Sequence, residues 1–287
     1  MPLSEAALLG DPLLALPLAR LLATRSLARL APERHTPQHR GRFARQPGLT
    51  FKELRPYQSG DEVRHIDWRV TARLGRPHTR LYHDEQEQTC AVWLDLGRDM
   101  YFGSRVQLKA RLGAELAAAL LWQGLGRPLW LQAGDGPALA HARRPEPLLA
   151  ELCARYTQGL AHREAAQALP AHQRLPDGCA LHLITDRRTP PPLLHWMGQL
   201  ARRHPLRLWQ IVDPLELALP PHARLPVTSH TGRGWLDGER RHDYAAAARA
   251  QDEAQLAQLL PLVKRLYRLD NGRPLAEQWQ EGPCRLI

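Results

Sequence analysis

The stretch CAVWLD, Cys90 to Asp95, is a short apolar run closed by a carboxylate. The same form returns in CALHLITD, Cys179 to Asp186, and in LRLWQIVD, Leu206 to Asp213. These runs are largely apolar rather than alternating. A strand reads that way when both of its faces are covered, as in a parallel sheet with helices on either side. Helical patterns fill the intervals: Ser104–Leu125, Glu146–Leu160 and Pro191–Arg203, the last opened by prolines that the first turn tolerates. RPLWLQAG and PALAHAR flank the turn GDGP, and RLYRLD is a further strand. Short strands are expected around VTSHTGRGWLDGERR, a long helix over about 243 to 266, and a short terminal helix at PLAEQW. The predicted class is α/β, a mostly parallel sheet covered by helices on both faces.

Three acids, Asp95, Asp186 and Asp213, each close an apolar run. In open α/β sheets ligands bind beyond the carboxyl ends of the strands, so parallel strands would bring the three acids to one edge. Clustered carboxylates there would suit Mg²⁺, a hard cation that prefers oxygen ligands. The alternative role is capping of the segment that follows, favoured for Asp213 because Pro214 comes next. For Asp95 and Asp186 both roles stay open.

With 287 residues and 44% hydrophobic content, the chain can bury a sizeable core, and global disorder is not expected. The formal charge is +10. Nine Lys or Arg against two acids lie between Arg20 and Arg55. Such an arm attracts anionic partners, although an arginine-rich coding bias gives the same composition. Cys90, Cys153, Cys179 and Cys284 form no CxxC pair, which argues against a zinc ribbon or a dithiol site and suits a reducing compartment. Arginines and prolines interrupt the N-terminal apolar segment, so neither a signal peptide nor a membrane span is expected, and a cytoplasmic location follows. Residues from about 13 to 30 have helical spacing and are expected to dock on the chain's own domain. No glycine-rich phosphate loop, nucleophile elbow or HExxH occurs.

Upstream lies ELRPYQSGDEVRHIDWRVTAR, Glu53 to Arg73, where acid, base and aromatic alternate without a period. Arg55, Arg64, Arg69 and Arg73 offer planar forks for carboxylates, with Asp61, Asp67 and Glu85 as internal partners. Ser59 and Gly60 suit a turn, and Ile66 and Trp68 can anchor the segment apolarly. A charge-paired clasp between an N-terminal extension and the core is expected. A surface partly open to a partner's acidic loop or a phosphate is the alternative.

The run FKELRPYQSGDEVRHIDWRVTARLGRPHTRLYHDEQE, followed by WLDLGRDMYFGS, a helix containing Lys109, LITD and VDPLE, resembles the bacterial family called domain of unknown function 58. The resemblance implies a von Willebrand A-like core over residues 89–287, with an extension over 1–88 that packs against it. It marks Arg55, Tyr57, Gly60, Asp61, Arg64, Asp67, Trp68, Arg73, Glu85, Asp213 and Glu216 as family-motif positions. It also implies partnership with a MoxR-type AAA+ ATPase and a client protein. DLGRDM resembles a degenerate metal-ion-dependent adhesion motif: Asp95 keeps the aspartate, while Gly97 and Asp99 stand at the two serine positions. Asp186 matches the motif's later aspartate, and Thr157 is the candidate for its middle threonine.

The expected function is a non-catalytic adaptor working with that ATPase. One alternative is a divalent-metal-dependent hydrolase using Asp95, Asp99 and Asp186. Another is nucleic-acid binding through residues 20–55, weakly supported because Phe43 and Phe51 are the only aromatics there.

Overall fold

The computed structural model describes residues 14–28, 49–57, 66–84, 89–136, 138–161, 175, 179–229, 232–282 and 284–285. The chain divides into two compact units. One comprises residues 33–88, the other residues 1–32 together with 89–287. The described residues 14–28 fall in the same unit as residues 89–287.

The larger unit is built on a seven-stranded sheet. Strands β3 (Cys90–Leu94), β4 (Pro128–Ala133), β6 (Ala180–Asp186), β7 (Leu206–Val212) and β10 (Arg265–Asp270) run parallel in the order β10-β7-β6-β3-β4. Two antiparallel strands close the edges, β5 (Leu139–Ala142) beside β4 and β11 (Cys284–Arg285) beside β10. The main helices are α4 (Lys109–Gln123), α5 (Glu146–Ala161), α6 (Pro191–Ala201), α8 (Arg241–Leu259) and α9 (Leu275–Glu281). The sheet splits the core into two layers. Val92 and Leu94 pack with Leu112, Leu116 and Tyr156 on one side. Ala91 and Trp93 pack with Trp196, Met197 and Leu259 on the other. Burial on both faces is why the strands read as apolar runs. This is the expected α/β class, consistent with a von Willebrand A-like fold.

The N-terminal segment packs on the first layer. The expected single helix is two short ones, α1 (Leu18–Ala23) and α2 (Arg25–Ala28). They meet at Thr24, whose hydroxyl donates back to the Leu21 carbonyl at 2.7 Å, a bond that competes with helix continuation. Leu21 is fully buried. Three side chains of the core donate to carbonyls of this segment: Tyr156 to Leu14 (2.8 Å), Trp122 to Leu21 (3.4 Å) and Trp279 to Leu27 (3.0 Å). An ion pair between Arg20 and the buried Glu115 adds a charged contact. Among the described residues no helix is long and apolar enough to cross a membrane.

Farther along, the rings of Trp209, Tyr267 and Trp279 stack across β7, β10 and α9, with centroids 4.1 and 6.0 Å from Trp209. Between β7 and α8 comes a two-stranded hairpin, β8 (Arg224–Ser229) and β9 (Gly232–Asp237). It carries the exposed Trp235 with the Arg224 guanidinium 5.1 Å above its ring. Helix α8 ends at Leu259 rather than near 266, because Pro261 cannot continue it.

In the smaller unit β1 (Leu49–Pro56) pairs antiparallel with β2 (His78–Asp84). Between them the motif forms α3 (Trp68–Leu74). Asp67 is its N-cap, accepting from the backbone N–H of Arg69 (3.1 Å) and Val70 (3.2 Å). Gly75 is its left-handed C-cap at φ 66°. Tyr57 donates its backbone N–H to Pro77, and Ile66 bridges to Thr79. Trp68 is not the expected anchor. It stands at the first helical position and is 66% exposed. Gly60, Asp61, Arg64 and Glu85, on which most of the clasp expectation falls, lie outside the described residues, as do residues 29–48 of the basic arm.

The buried Cys90 thiol at the lower end of the sheet is inert by placement. Burial pushes the Cys90 thiol up to about 12. Iodoacetamide at mildly alkaline pH is therefore expected to leave Cys90 unmodified in the folded protein and to alkylate it in denaturant. Mass spectrometry of the peptide containing Cys90 checks this, and rapid labelling of the native chain would contradict the packing of β3 against α4.

A closed carboxylate cluster at the sheet edge

Parallel register brings Asp95, Asp186 and Asp213 to one edge, as expected. Asp186 closes β6 opposite Ile211, Asp213 follows Val212, and Asp95 follows Leu94 with its N–H on the Ile184 carbonyl. All three are buried. Each meets different partners.

Asp95 accepts from the Gly97 N–H on one oxygen and from the Thr185 hydroxyl on the other, both at 2.7 Å. Burial holds its carboxyl above the ordinary range, against the lowering effect of those two bonds. Asp213 is the N-cap of α7 (Pro214–Leu217) and forms a capping box with Glu216. Its carboxylate accepts from the Leu215 N–H (2.9 Å), the Ser104 N–H (2.7 Å) and the Ser104 hydroxyl. The cap role inferred from Pro214 is thus joined by a second one, holding the loop from Phe102 to Leu108. Asn271, fully buried at the end of β10, grips the same loop by donating to the carbonyls of Phe102 (3.3 Å) and Gln107 (2.9 Å).

At the centre is Lys109, the first residue of α4, with no exposed surface. Its ammonium lies 3.1 Å from Asp186 Oδ2 and 2.6 Å from Glu216 Oε1, with the Phe102 ring 5.8 Å away. The remaining oxygens of those carboxylates are also engaged, Asp186 Oδ1 by the Arg188 N–H and Glu216 Oε2 by the Asp213 N–H. Burial alone would lower the lysine's proton affinity, but the Asp186 and Glu216 charges more than offset it and the amine stays protonated. Burial likewise raises Asp186, to about 6 even beside the ammonium. A lysine in the first turn also opposes the helix dipole, so only adjacent carboxylates make the position tolerable.

Asp99 does not join the cluster as a ligand. It is exposed on the 3-10 turn Arg98–Tyr101, whose Met100 and Tyr101 are buried, and reaches Asp95 only through its charge. Thr157 is also elsewhere. Its hydroxyl donates to the Cys153 carbonyl within α5, and Thr185 is the threonine at Asp95. Among the described residues no group of three or more His, Cys, Asp or Glu side chains is placed to hold a metal ion. The motif positions Arg55, Tyr57, Asp67, Trp68 and Arg73 belong to the smaller unit, separate from this cluster in the division of the chain. Lys109, Thr185, Ser104 and Asn271 are cluster residues that the search for strand-end acids did not assign. Composition carries a signal for the first of them: Lys52, Lys109 and Lys264 are the only lysines among 39 basic residues.

Removing the ammonium leaves two facing carboxylates without their cation. Lys109→Met is expected to cost about 3–5 kcal/mol, read as a fall in denaturation midpoint. The Asp186 carboxyl, followed by carbon NMR, should titrate near 6 in the native protein and higher in Lys109→Met, because the lowering charge is gone. The sign of the linkage follows. The folded carboxyl keeps its proton to higher pH than an unfolded aspartate at about 3.9, so its contribution to stability is greatest below about pH 4 and falls as pH rises to about 6. A midpoint at the ordinary carboxylate value would contradict the burial.

Comparison with known proteins agrees with the sequence motifs. Residues 53–135 match the family described as protein of unknown function DUF58. An uncharacterized protein of Mycobacterium bovis, Mb1516, is 30% identical over 223 residues, covering 71% of this chain and 69% of that protein. The uncharacterized protein Rv1480 of Mycobacterium tuberculosis gives the same figures, 30% over 223 residues. A solved structure, the conserved hypothetical protein BatB from Bacteroides thetaiotaomicron, aligns over 61% of this chain and 98% of its own at 11% identity, with a TM-score of 0.32. By the length and level of the mycobacterial match, together with the motif match, the chain belongs to the DUF58 family.

Proposed function

We propose that the protein is a non-catalytic interaction module that works with a MoxR-type AAA+ ATPase in the assembly or maturation of a client protein. The ATPase partnership comes from the family resemblance. The observation that carries the adaptor role is the state of the sheet edge. Its carboxylates are spent on internal donors, so none stands ready as a nucleophile or general base. Above that floor the exposed side chains are of the binding kind. Phe102, Val106 and Leu217 expose apolar surface at 39%, 45% and 36%, and Arg98, Arg105, Arg188 and Asp99, in the segments that follow β3 and β6, are exposed as well. Apolar contacts rimmed by arginines suit a protein partner with acidic side chains. The metal-dependent hydrolase is less favoured, because Lys109 already neutralises Asp186 and Asp99 faces outward.

Affinity capture from the native cell extract is expected to recover an AAA+ ATPase, equally well with and without EDTA. Val106→Asp and Arg98→Glu, both on exposed positions, should keep the native melting temperature and lose that ATPase. Capture that fails with the native chain, or that both variants leave intact, would count against this face. Turnover of a phosphate ester by the purified chain with Mg²⁺ would favour the hydrolase instead.

A further inference from the structure

We infer that the ammonium of Lys109 is the resident cation of this sheet edge, and that it closes the edge to divalent metal. A second cation is repelled from carboxylates that a buried ammonium already neutralises. Four carboxylates line this edge, Asp95, Asp186, Asp213 and Glu216, and each of their eight oxygens accepts from a donor of the chain itself. Lys109 has no exposed surface and is placed between two of the four. The degenerate motif therefore does not fit Mg²⁺. The cation that gathers oxygens from the end of β6 and from α7 is covalently part of α4.

Residue choice points the same way. The chain uses arginine almost wherever it needs a positive charge, with only three lysines in 39 basic residues. Guanidinium is broad and planar and favours forked pairing. Ammonium is a compact point charge with three donors, closer in shape to a bare cation. A site that must gather oxygens from β6 and α7 around one point is served by the second and not by the first. The ammonium also connects the same segments that a metal would: the end of β6 through Asp186, α7 through Glu216, and the loop beside Phe102. The inference concerns this cluster alone and does not depend on who the partner is.

The test uses the full chain. Manganese titration followed by electron paramagnetic resonance is expected to show no Mn²⁺ bound in a way that Asp186→Asn weakens, up to millimolar metal. In nitrogen NMR the Lys109 ammonium, assigned by its loss in Lys109→Arg, should be protected from exchange with water and unmoved by millimolar MgCl₂. Three lysines make that spectrum simple. Mn²⁺ binding that Asp186→Asn weakens, an ammonium signal displaced by Mg²⁺, or an amine exchanging as fast as free lysine would each overturn the inference. Loss of the ATPase in capture, with these spectra as expected, would strike the adaptor role and leave this one standing.

Discussion

A single ammonium buried between Asp186 and Glu216 sets the terms for the whole upper edge of this protein. Two ionised carboxylates brought together away from water need a cation or one must take up a proton, and a buried lysine cannot stay charged without carboxylates. Each therefore requires the other, and their joint position fixes three pieces of chain. Helix α4 begins where its first residue reaches the pair. Helix α7 turns back where Glu216 can serve both Lys109 and the Asp213 N–H. The loop between them is held by Asp213 and Asn271. Apolar burial in the two layers below gives the sheet its stability, but it does not determine how these loops are set.

The same economy of local pairing recurs elsewhere. The N-terminal helices are held by side-chain donors of Tyr156, Trp122 and Trp279 reaching backbone carbonyls, so polar groups left over at helix ends are satisfied by the surface they cover. In the smaller unit, Asp67 and Gly75 cap both ends of a seven-residue helix that buries none of its side chains. Such a helix depends on its caps rather than on packing.

The sheet was legible because burial on both faces leaves an apolar signature in CAVWLD, ALHLITD and LRLWQIV. The strand-end acids were legible because a carboxylate that closes such a run interrupts it visibly. Their chemistry was less so. Asp99 follows the metal-motif spacing, yet a 3-10 turn carries it outward. Thr157 had the right residue type in a helix that never reaches the site, while Thr185 was hidden beside Asp186. Lys109 lies 77 residues from Asp186 and 107 from Glu216, and no local pattern links them. Trp68 was misplaced because a capped helix needs no apolar anchor at its first position.

The stacked rings of Trp209, Tyr267 and Trp279 have a spectroscopic consequence. Trp209 lies 18° from the plane of Tyr267 and 21° from that of Trp279, all three nearly dry. Aromatic transitions this close and this nearly parallel couple to one another, and the coupling vanishes when the rings separate by a few ångströms. Near-ultraviolet circular dichroism of this chain will thus carry a band belonging to the β7–β10–α9 side of the fold. The exposed Trp68 and Trp235 contribute little to that band, while the buried Trp93–Trp196 pair of the opposite layer, with ring centroids 5.2 Å apart, adds a signal of its own.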